Sequence, residues 1–306
     1  MNEYVALFEK NDPNALPEGL VRVNAESSDC AVLVFGSEKV ALMDCGLAFC
    51  ADKTIENIEK ALAENGRDKV DYLFVSHTHY DHVGALPYIV EKWPEIQVVG
   101  SAKAQYVFTR PGAIKVMREL GAAAAKDFGG IDDFEPKTDG LRVDIVLTDG
   151  ETITLGDLTF TGIETKGHTD CSMAYFMEPG KVLFASESTG VVVPDQGING
   201  SEILKSSNDA IAACDKCEAY APELIICPHY GVIPKDFNPV YFKSMKEDAQ
   251  NKKAFIKKHY DAGKNEEEIL QEMIKEYTKP GQPLDAFIAN AVNTIGVMCW
   301  EISEGI

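Results

Sequence analysis

The chain has 306 residues, 45% hydrophobic and 25% charged, enough to bury a substantial core as one large domain or two small ones. Acidic residues outnumber basic ones 49 to 29, and a net charge of −20 disfavours a nucleic-acid partner, because phosphate neutralisation needs clustered Lys and Arg. No apolar run reaches membrane-spanning length, the start Met1-Asn2-Glu3-Tyr4-Val5 lacks a basic-then-apolar leader, and the eight cysteines are scattered, so a reducing, cytoplasmic setting is expected.

In chain order, Ala31 to Phe35 and Val40 to Asp44 read as two strands joined in a hairpin by Gly36-Ser37-Glu38-Lys39. Ala51 to Asn65 has helical spacing. Val70 to Ser76 is strongly apolar, reads as a buried strand, and runs directly into His77-Thr78-His79-Tyr80-Asp81-His82. Packing does not explain three imidazoles and a carboxylate this close together. Neutral imidazole nitrogen and carboxylate oxygen are the ligands that Zn²⁺, Fe²⁺ and Mn²⁺ prefer, and strand-end loops are where scaffolds place chemistry. A metal site is therefore predicted.

After that loop, Ala85 to Lys92 looks helical and Ile96 to Gly100 looks like a strand. The Ala- and Gly-rich segment from Ala102 to Asp139 is expected to be helical in part and to cover a cleft. Val143 to Phe176 alternates short strands with turns such as Leu155-Gly156-Asp157-Leu158. An apolar strand ending in a coordinating side chain then recurs. His168 follows Leu158 to Thr165, Glu187 closes Val182 to Ser186, and His229 follows Leu224 to Pro228.

Asn208 to Tyr220 is helical and carries Cys214-Asp215-Lys216-Cys217, a pair with no second CxxC to complete a zinc site, so structural thiols are expected. From about Lys235 the character changes. Tyr241 to Tyr260 is a Lys- and Glu-rich helix in which Lys252, Lys253, Lys257 and Lys258 read as a solvated face. Asn265-Glu266-Glu267-Glu268 has capping-box spacing before Ile269, Leu270, Met273, Ile274 and Tyr277, and Pro280 is the expected stop. Ala286 to Met298 is a further helix.

The ordered series HxHxDH, Gly-His, acid, His resembles the metallo-β-lactamase superfamily from about residue 28 to residue 235. The resemblance implies an α/β fold, a four-layer αββα sandwich over residues 1–235, with a helical C-terminal extension over 236–306. The extension either packs on or near the active-site cleft or serves as a dimerising subdomain. The resemblance further implies that His77, His79 and His168 hold one metal and that Asp81, His82 and His229 hold a second. Glu187 stands where the family usually has a bridging Asp, and Asp44 matches an inner-strand Asp that supports the ligands from behind. Glu187 is one methylene longer than Asp, which bears on metal spacing. Cys171 replaces the Gly of many relatives and puts a thiol near the site, with plain burial as its other reading. One β-lactamase subclass has a Cys ligand where Glu187 stands, and its absence here argues against that activity.

The implied activity is that of a dinuclear metal-dependent hydrolase, using a metal-bound hydroxide on a small-molecule ester, thioester or lactone. Its cofactors would be two divalent metal ions, zinc first, with iron or manganese as alternatives. Asp81 is expected to orient the water or carry its proton. Tyr80 and Tyr230, beside ligands, are candidate donors to a developing oxyanion, with packing as the competing role of each. There is no GxSxG serine elbow. Two other classes compete. One is an iron-dependent redox enzyme of the same fold, although flavodiiron enzymes normally have Glu where His79 stands and carry a flavodoxin domain, and a mono-iron persulfide oxygenase would leave the second position empty. The other is a metal-retaining binding or regulatory protein. Expected partners are a small-molecule substrate and no nucleic acid or membrane; the exact substrate, the metal and the oligomeric state, a homodimer included, stay open.

Overall fold

Near-continuous apolar runs in the central strands give two sheets that are each buried on both faces. The computed structural model describes residues 4–25, 31–278 and 285–306. Helix α1 (Val5–Lys10) leads into the first sheet, whose strands lie in chain order: β1 (Leu20–Arg22), β2 (Val32–Phe35), β3 (Val40–Met43), β4 (Tyr72–Phe74), β5 (Gln97–Gly100) and β6 (Ile145–Val146). The predicted hairpin pairs Phe35 with Val40 across β2 and β3. From β3 to β6 the strands are parallel, which requires helical crossovers. These are α2 (Ala51–Glu64), then α3 (Tyr80–Val83) with α4 (Leu86–Lys92), then α5 (Ala102–Val107) with α6 (Pro111–Gly129).

The second sheet contains β7 (Thr152–Leu155), β8 (Leu158–Glu164), β9 (Met173–Glu178) and β10 (Val182–Phe184). A ribbon of β11 (Val191–Val193) and β12 (Ile198–Gly200) and helix α7 (Ser207–Ala219) follow, before β13 (Leu224–Cys227) and β14 (Gly231–Val232) complete the sheet. Its spatial order is β14-β13-β10-β9-β8-β7, antiparallel except for the parallel β10–β13 pair.

Period-two burial assigns each residue to a layer. Val32, Val34, Met43 and Phe74 of the first sheet meet Phe160, Tyr175 and Phe184 of the second. The rings are in contact, with centroids of Phe74 and Phe160 4.9 Å apart and those of Phe74 and Tyr175 5.0 Å apart. On the opposite face of the first sheet, Leu33, Leu42 and Leu73 pack against Ile58, Leu62 and Leu86 of α2 and α4. On the outer face of the second, Leu183 and Ile225 pack against α7. The order is αββα, as the sequence implied.

The C-terminal helices α8 (Tyr241–Asp261), α9 (Glu266–Tyr277) and α10 (Asp285–Glu304) lie on this outer face. Ile256, Ile269, Met273, Ile295 and Met298 join the same cluster as Leu183 and Ile225, so the helices extend the sandwich's own core. The capping box is present, Asn265 and Glu268 each bonding the other's backbone N–H at 2.9–3.0 Å. Pro280 lies outside the described residues, and α9 ends at Tyr277. Cys214 and Cys217 are buried in this core, and burial pushes the Cys214 thiol up to about 12 and Cys217 higher still. Only part of the lysine stretch faces solvent. Lys257 and Lys258 are exposed, whereas Lys252 and Lys253 turn inward to the Ser201 carbonyl and Glu301. No helix among the described residues is long and apolar enough to cross a membrane.

Phe160 sits wholly buried between the rings of Phe74 and Phe184. Phe160→Ala is expected to destabilise the protein by about 3–5 kcal/mol through lost transfer energy and an uncollapsed cavity, as read by urea unfolding. A loss below about 1 kcal/mol would show that the sheet interface can repack around the gap.

Candidate metal centre

The candidate ligand side chains, and Asp44 behind them, follow the C-terminal ends of strands on one rim of the sandwich. Asp44 follows β3, the 76–82 run follows β4, His168 follows β8, Glu187 follows β10 and His229 follows β13. Two of these positions turn sharply, Asp44 at φ +49° and His229 at φ +60°, which re-aims their side chains off the strand direction. Gly167, at φ +130°, is the third such point. A Cβ there would lie 2.6 Å from the Ala210 backbone, so only glycine lets His168 sit against α7. The 77–82 run is not all loop, because Tyr80–Val83 winds into one helical turn that carries Asp81 and His82.

Glu187 is at the centre. Its Oε1 lies 2.8 Å from His82 Nε2 and 2.6 Å from His229 Nε2, and its Oε2 lies 2.7 Å from His168 Nε2. His168 Nε2 is 3.1 Å from His79 Nδ1. Asp81 Oδ2 is 3.5 Å from His229 Nε2 and 3.7 Å from His82 Nε2. The ligand-type atoms form two sets, His77, His79, His168 and Glu187, then Asp81, His82, Glu187 and His229, with every atom of a set within 4.8 Å of the others. Glu187 belongs to both.

Hydrogen bonding behind the rings fixes what they present in front. His168 Nδ1 lies 2.9 Å from the Glu202 carbonyl, which can only accept, so Nδ1 carries the hydrogen. His82 Nδ1 lies 2.9 Å from Asp44 Oδ2 and donates in the same way. Each neutral ring then offers a bare Nε2 to a Glu187 oxygen. Two acceptors at that distance need a proton or a metal cation between them. Protons cannot fill the whole site. Burial, reinforced by neighbouring imidazoles, holds His77 well below its ordinary range and brings His79 down to about 4. Burial would lower His168 and raise Glu187, but their mutual attraction outweighs it, raising His168 and, with His82, holding Glu187 well below the usual carboxylate range. His77 Nε2 is buried with no hydrogen-bond partner, a costly state for an imidazole nitrogen. Converging lone pairs, two carboxylates and an orphaned nitrogen fit divalent cations.

Asp44 supports this arrangement with both oxygens. Oδ1 accepts from the Ser76 N–H at 2.8 Å, and Oδ2 accepts from Ser76 Oγ at 2.6 Å as well as from His82. Ser76 Oγ also lies 3.1 Å from His77 Nδ1. Sequence reasoning missed Ser76, whose one signal was its place between the strand and His77. It also missed Ser188, whose Oγ accepts from the His168 N–H at 3.0 Å, and the Glu202 carbonyl, which no residue type announces.

The remaining candidates fall at different places. Tyr80 lines a cleft of about 470 Å³ beside His79. Cys171 lines the same cleft, largely buried, its Sγ 3.4 Å from Thr78 Oγ1 and 3.2 Å from Thr169 Oγ1. Tyr230 faces elsewhere: its hydroxyl accepts from Asn11 Nδ2 at 3.1 Å and its ring packs edge-on against Phe8. Val107, Ala113, Val116, Met117 and Leu120 of the α5–α6 segment form the cleft's apolar wall. The C-terminal helices instead grip the loop behind His168. Asp248 accepts from the Ser201 N–H and Oγ, both at 2.7 Å, and Thr294 Oγ1 donates to the Ile203 carbonyl at 3.0 Å, bracketing Glu202.

The family model of the metallo-β-lactamase superfamily matches residues 23–229. The chain belongs to the metallo-β-lactamase superfamily. Within it, a coenzyme F420H(2) oxidase of Methanocaldococcus jannaschii is 29% identical over 162 residues, 52% of this chain and 33% of that protein. A hydroxyacylglutathione hydrolase of Photorhabdus laumondii is 26% identical over 119 residues, 38% of this chain and 34% of that protein. The matches thus span about a third of each relative's length. Among solved structures, the metallo-β-lactamase family protein TTHA1429 of Thermus thermophilus superposes with a TM-score of 0.65 at 20% identity, covering 95% of each chain, and shows the same fold.

Asp44→Asn keeps a residue that tolerates the left-handed backbone but removes the charge behind His82. Competition with a chelator is expected to show metal affinity lower by about 10–100-fold, and the metal-stripped protein is expected to lose about 1–3 kcal/mol of stability because the new amide NH2 faces a buried donor. Equal affinity in the variant would mean that Asp44 does not tune the ligand.

Proposed function

We propose that this protein is a dinuclear metal-dependent hydrolase of small-molecule esters, thioesters or lactones. The observation that carries the reading is Glu187, whose two oxygens face two separate imidazole sets beside an open cleft. His77, His79 and His168 would hold one cation, Asp81, His82 and His229 the other, with Glu187 between them. When bound, such a pair lowers the pKa of water towards neutrality and polarises the scissile carbonyl.

The chain's own residues divide the remaining work. The Asp81 side chain is 26% exposed against 8% for Glu187, so Asp81 is the carboxylate able to exchange a proton with incoming solvent. His79 opens the first set to the cleft, and Asp81 and His229, the latter 30% exposed, open the second to solvent. Burial, and then Asp81, push the Tyr80 phenol above its ordinary value, which keeps it protonated at neutral pH as a donor for charge developing on the carbonyl oxygen.

The hydroxyacylglutathione hydrolase among the relatives supports an acyl-transfer reading. The F420H(2) oxidase supports an iron-dependent redox enzyme as the second reading. Imidazole suits zinc and iron alike, so the metal that the purified protein carries decides between the two readings.

Elemental analysis of the purified protein, with hydrolysis assays after metal reconstitution, separates the readings. Close to two Zn, Fe or Mn per chain with ester or thioester turnover is the expected result. A single iron with oxygen-dependent thiol chemistry would replace the hydrolase with an oxygenase, and no metal retained would remove the site. Asp81→Asn, assayed at saturating metal, is expected to lower kcat by about 10²–10⁴-fold.

A further inference from the structure

The cleft beside His79 has two chemically different sides. Val116 and Leu120 of α6 are 51% and 46% exposed, large apolar groups held at the cleft although the core is complete without them. Apolar surface left open next to a reactive centre marks a place where something apolar is covered. The same cleft is lined by two lysines from separate elements, Lys103 in the first turn of α5, whose Nζ lies 5.8 Å from the centre of the Tyr106 ring, and Lys205 on the loop before α7. Lys205 is tied to the metal-centre loop by its backbone, its N–H donating to the Gly167 carbonyl at 2.9 Å beside His168. Its side chain makes no ion pair among the described residues, in a chain with twenty more acidic than basic groups, 49 against 29. Lys103 Nζ has one acidic neighbour, Asp170 Oδ2, at 3.8 Å, too long for a hydrogen bond and on the cleft wall itself. Among the residues that line the cleft, two lysines therefore stand against one aspartate, the reverse of the balance in the whole chain.

We propose that the cleft selects amphiphilic substrates: an apolar acyl arm lies along Val107, Val116, Met117 and Leu120, and a carboxylate elsewhere in the same molecule is received by Lys103 and Lys205. The reaction assigned to such a substrate rests on the hydrolase reading; the binding preference does not. The lysines also answer a problem of encounter, since a field of net −20 repels anions unless a local patch offsets it.

Calorimetric titration of the metal-loaded full chain with 4-(hexanoylamino)benzoate and with 4-(hexanoylamino)benzamide isolates the carboxylate, because the probes share their acyl arm and ring. The benzoate is expected to bind about tenfold more tightly than the benzamide, the strength of one or two half-exposed charge-assisted contacts. In a Lys103→Met, Lys205→Met double variant this ratio should fall towards one, and Leu120→Asp should weaken both probes. Equal affinity of the two probes for the unaltered protein would overturn the proposal. So would a preference that survives in the double variant, which would assign the carboxylate to the metals. Binding lost in step with concentration-dependent self-association would also overturn it, giving the apolar wall to a second copy of the chain. Turnover of 4-(hexanoyloxy)benzoate against 4-(hexanoyloxy)benzamide is measured alongside. If neither ester is hydrolysed, the hydrolase reading fails while the titration still decides what the cleft binds.

Discussion

A buried carboxylate shared by three imidazoles is the constraint around which the rest of the molecule is arranged. Removing a charge from water costs several kcal/mol unless its partners are held in excellent geometry, and Glu187 draws its partners from three other strand ends. His82 arrives after β4, His168 after β8 and His229 after β13. These ends meet only if both sheets keep register and spacing. The interlocked rings of Phe74, Phe160 and Tyr175 supply that rigidity directly beneath the rim.

Support reaches the centre from both sheets. On the first-sheet side, Asp44 and Ser76 fix His82 and His77. On the second, the Glu202 carbonyl fixes His168, and Glu202 lies between two residues gripped by α8 and α10. A substitution at Asp248 or Thr294 would thus reach a metal-ligand candidate through one backbone carbonyl, without touching the cleft. The cleft itself is shaped by a different segment, α5–α6, which separates what orients the imidazoles from what meets a substrate.

Much of this was legible in the sequence because the chemistry sits where hydrophobic patterning is simplest. Continuous apolar runs end in His, Asp or Glu, and the run from His77 to His82 packs three imidazoles and a carboxylate into one short stretch of chain. The αββα layering was implied by the family resemblance that these residues carry. What stayed hidden has physical causes. The Glu202 carbonyl is invisible because every residue carries one. The helical turn at Tyr80–Val83 is too short to show periodicity. Lys252 and Lys253 looked like surface charge because sequence cannot show that Ser201 and Glu301 wait beneath them. Likewise Ile269, Leu270 and Met273 announced a covered face on α9, but hydrophobic spacing says that a face is covered and not by what.

The shared core of the second sheet and the C-terminal helices bears on how the protein fails. Leu183 and Ile225 are sealed by the same cluster that includes Met273, Ile295 and Met298. The helices after residue 235 are therefore no appendage that a protease could trim to leave the sandwich intact. Clipping them would strip one whole face of the sheet that presents Glu187 and His229, so the fold and the geometry of the candidate centre would be lost in a single cooperative event. Damaged copies would unfold outright instead of lingering with the imidazole cluster still assembled.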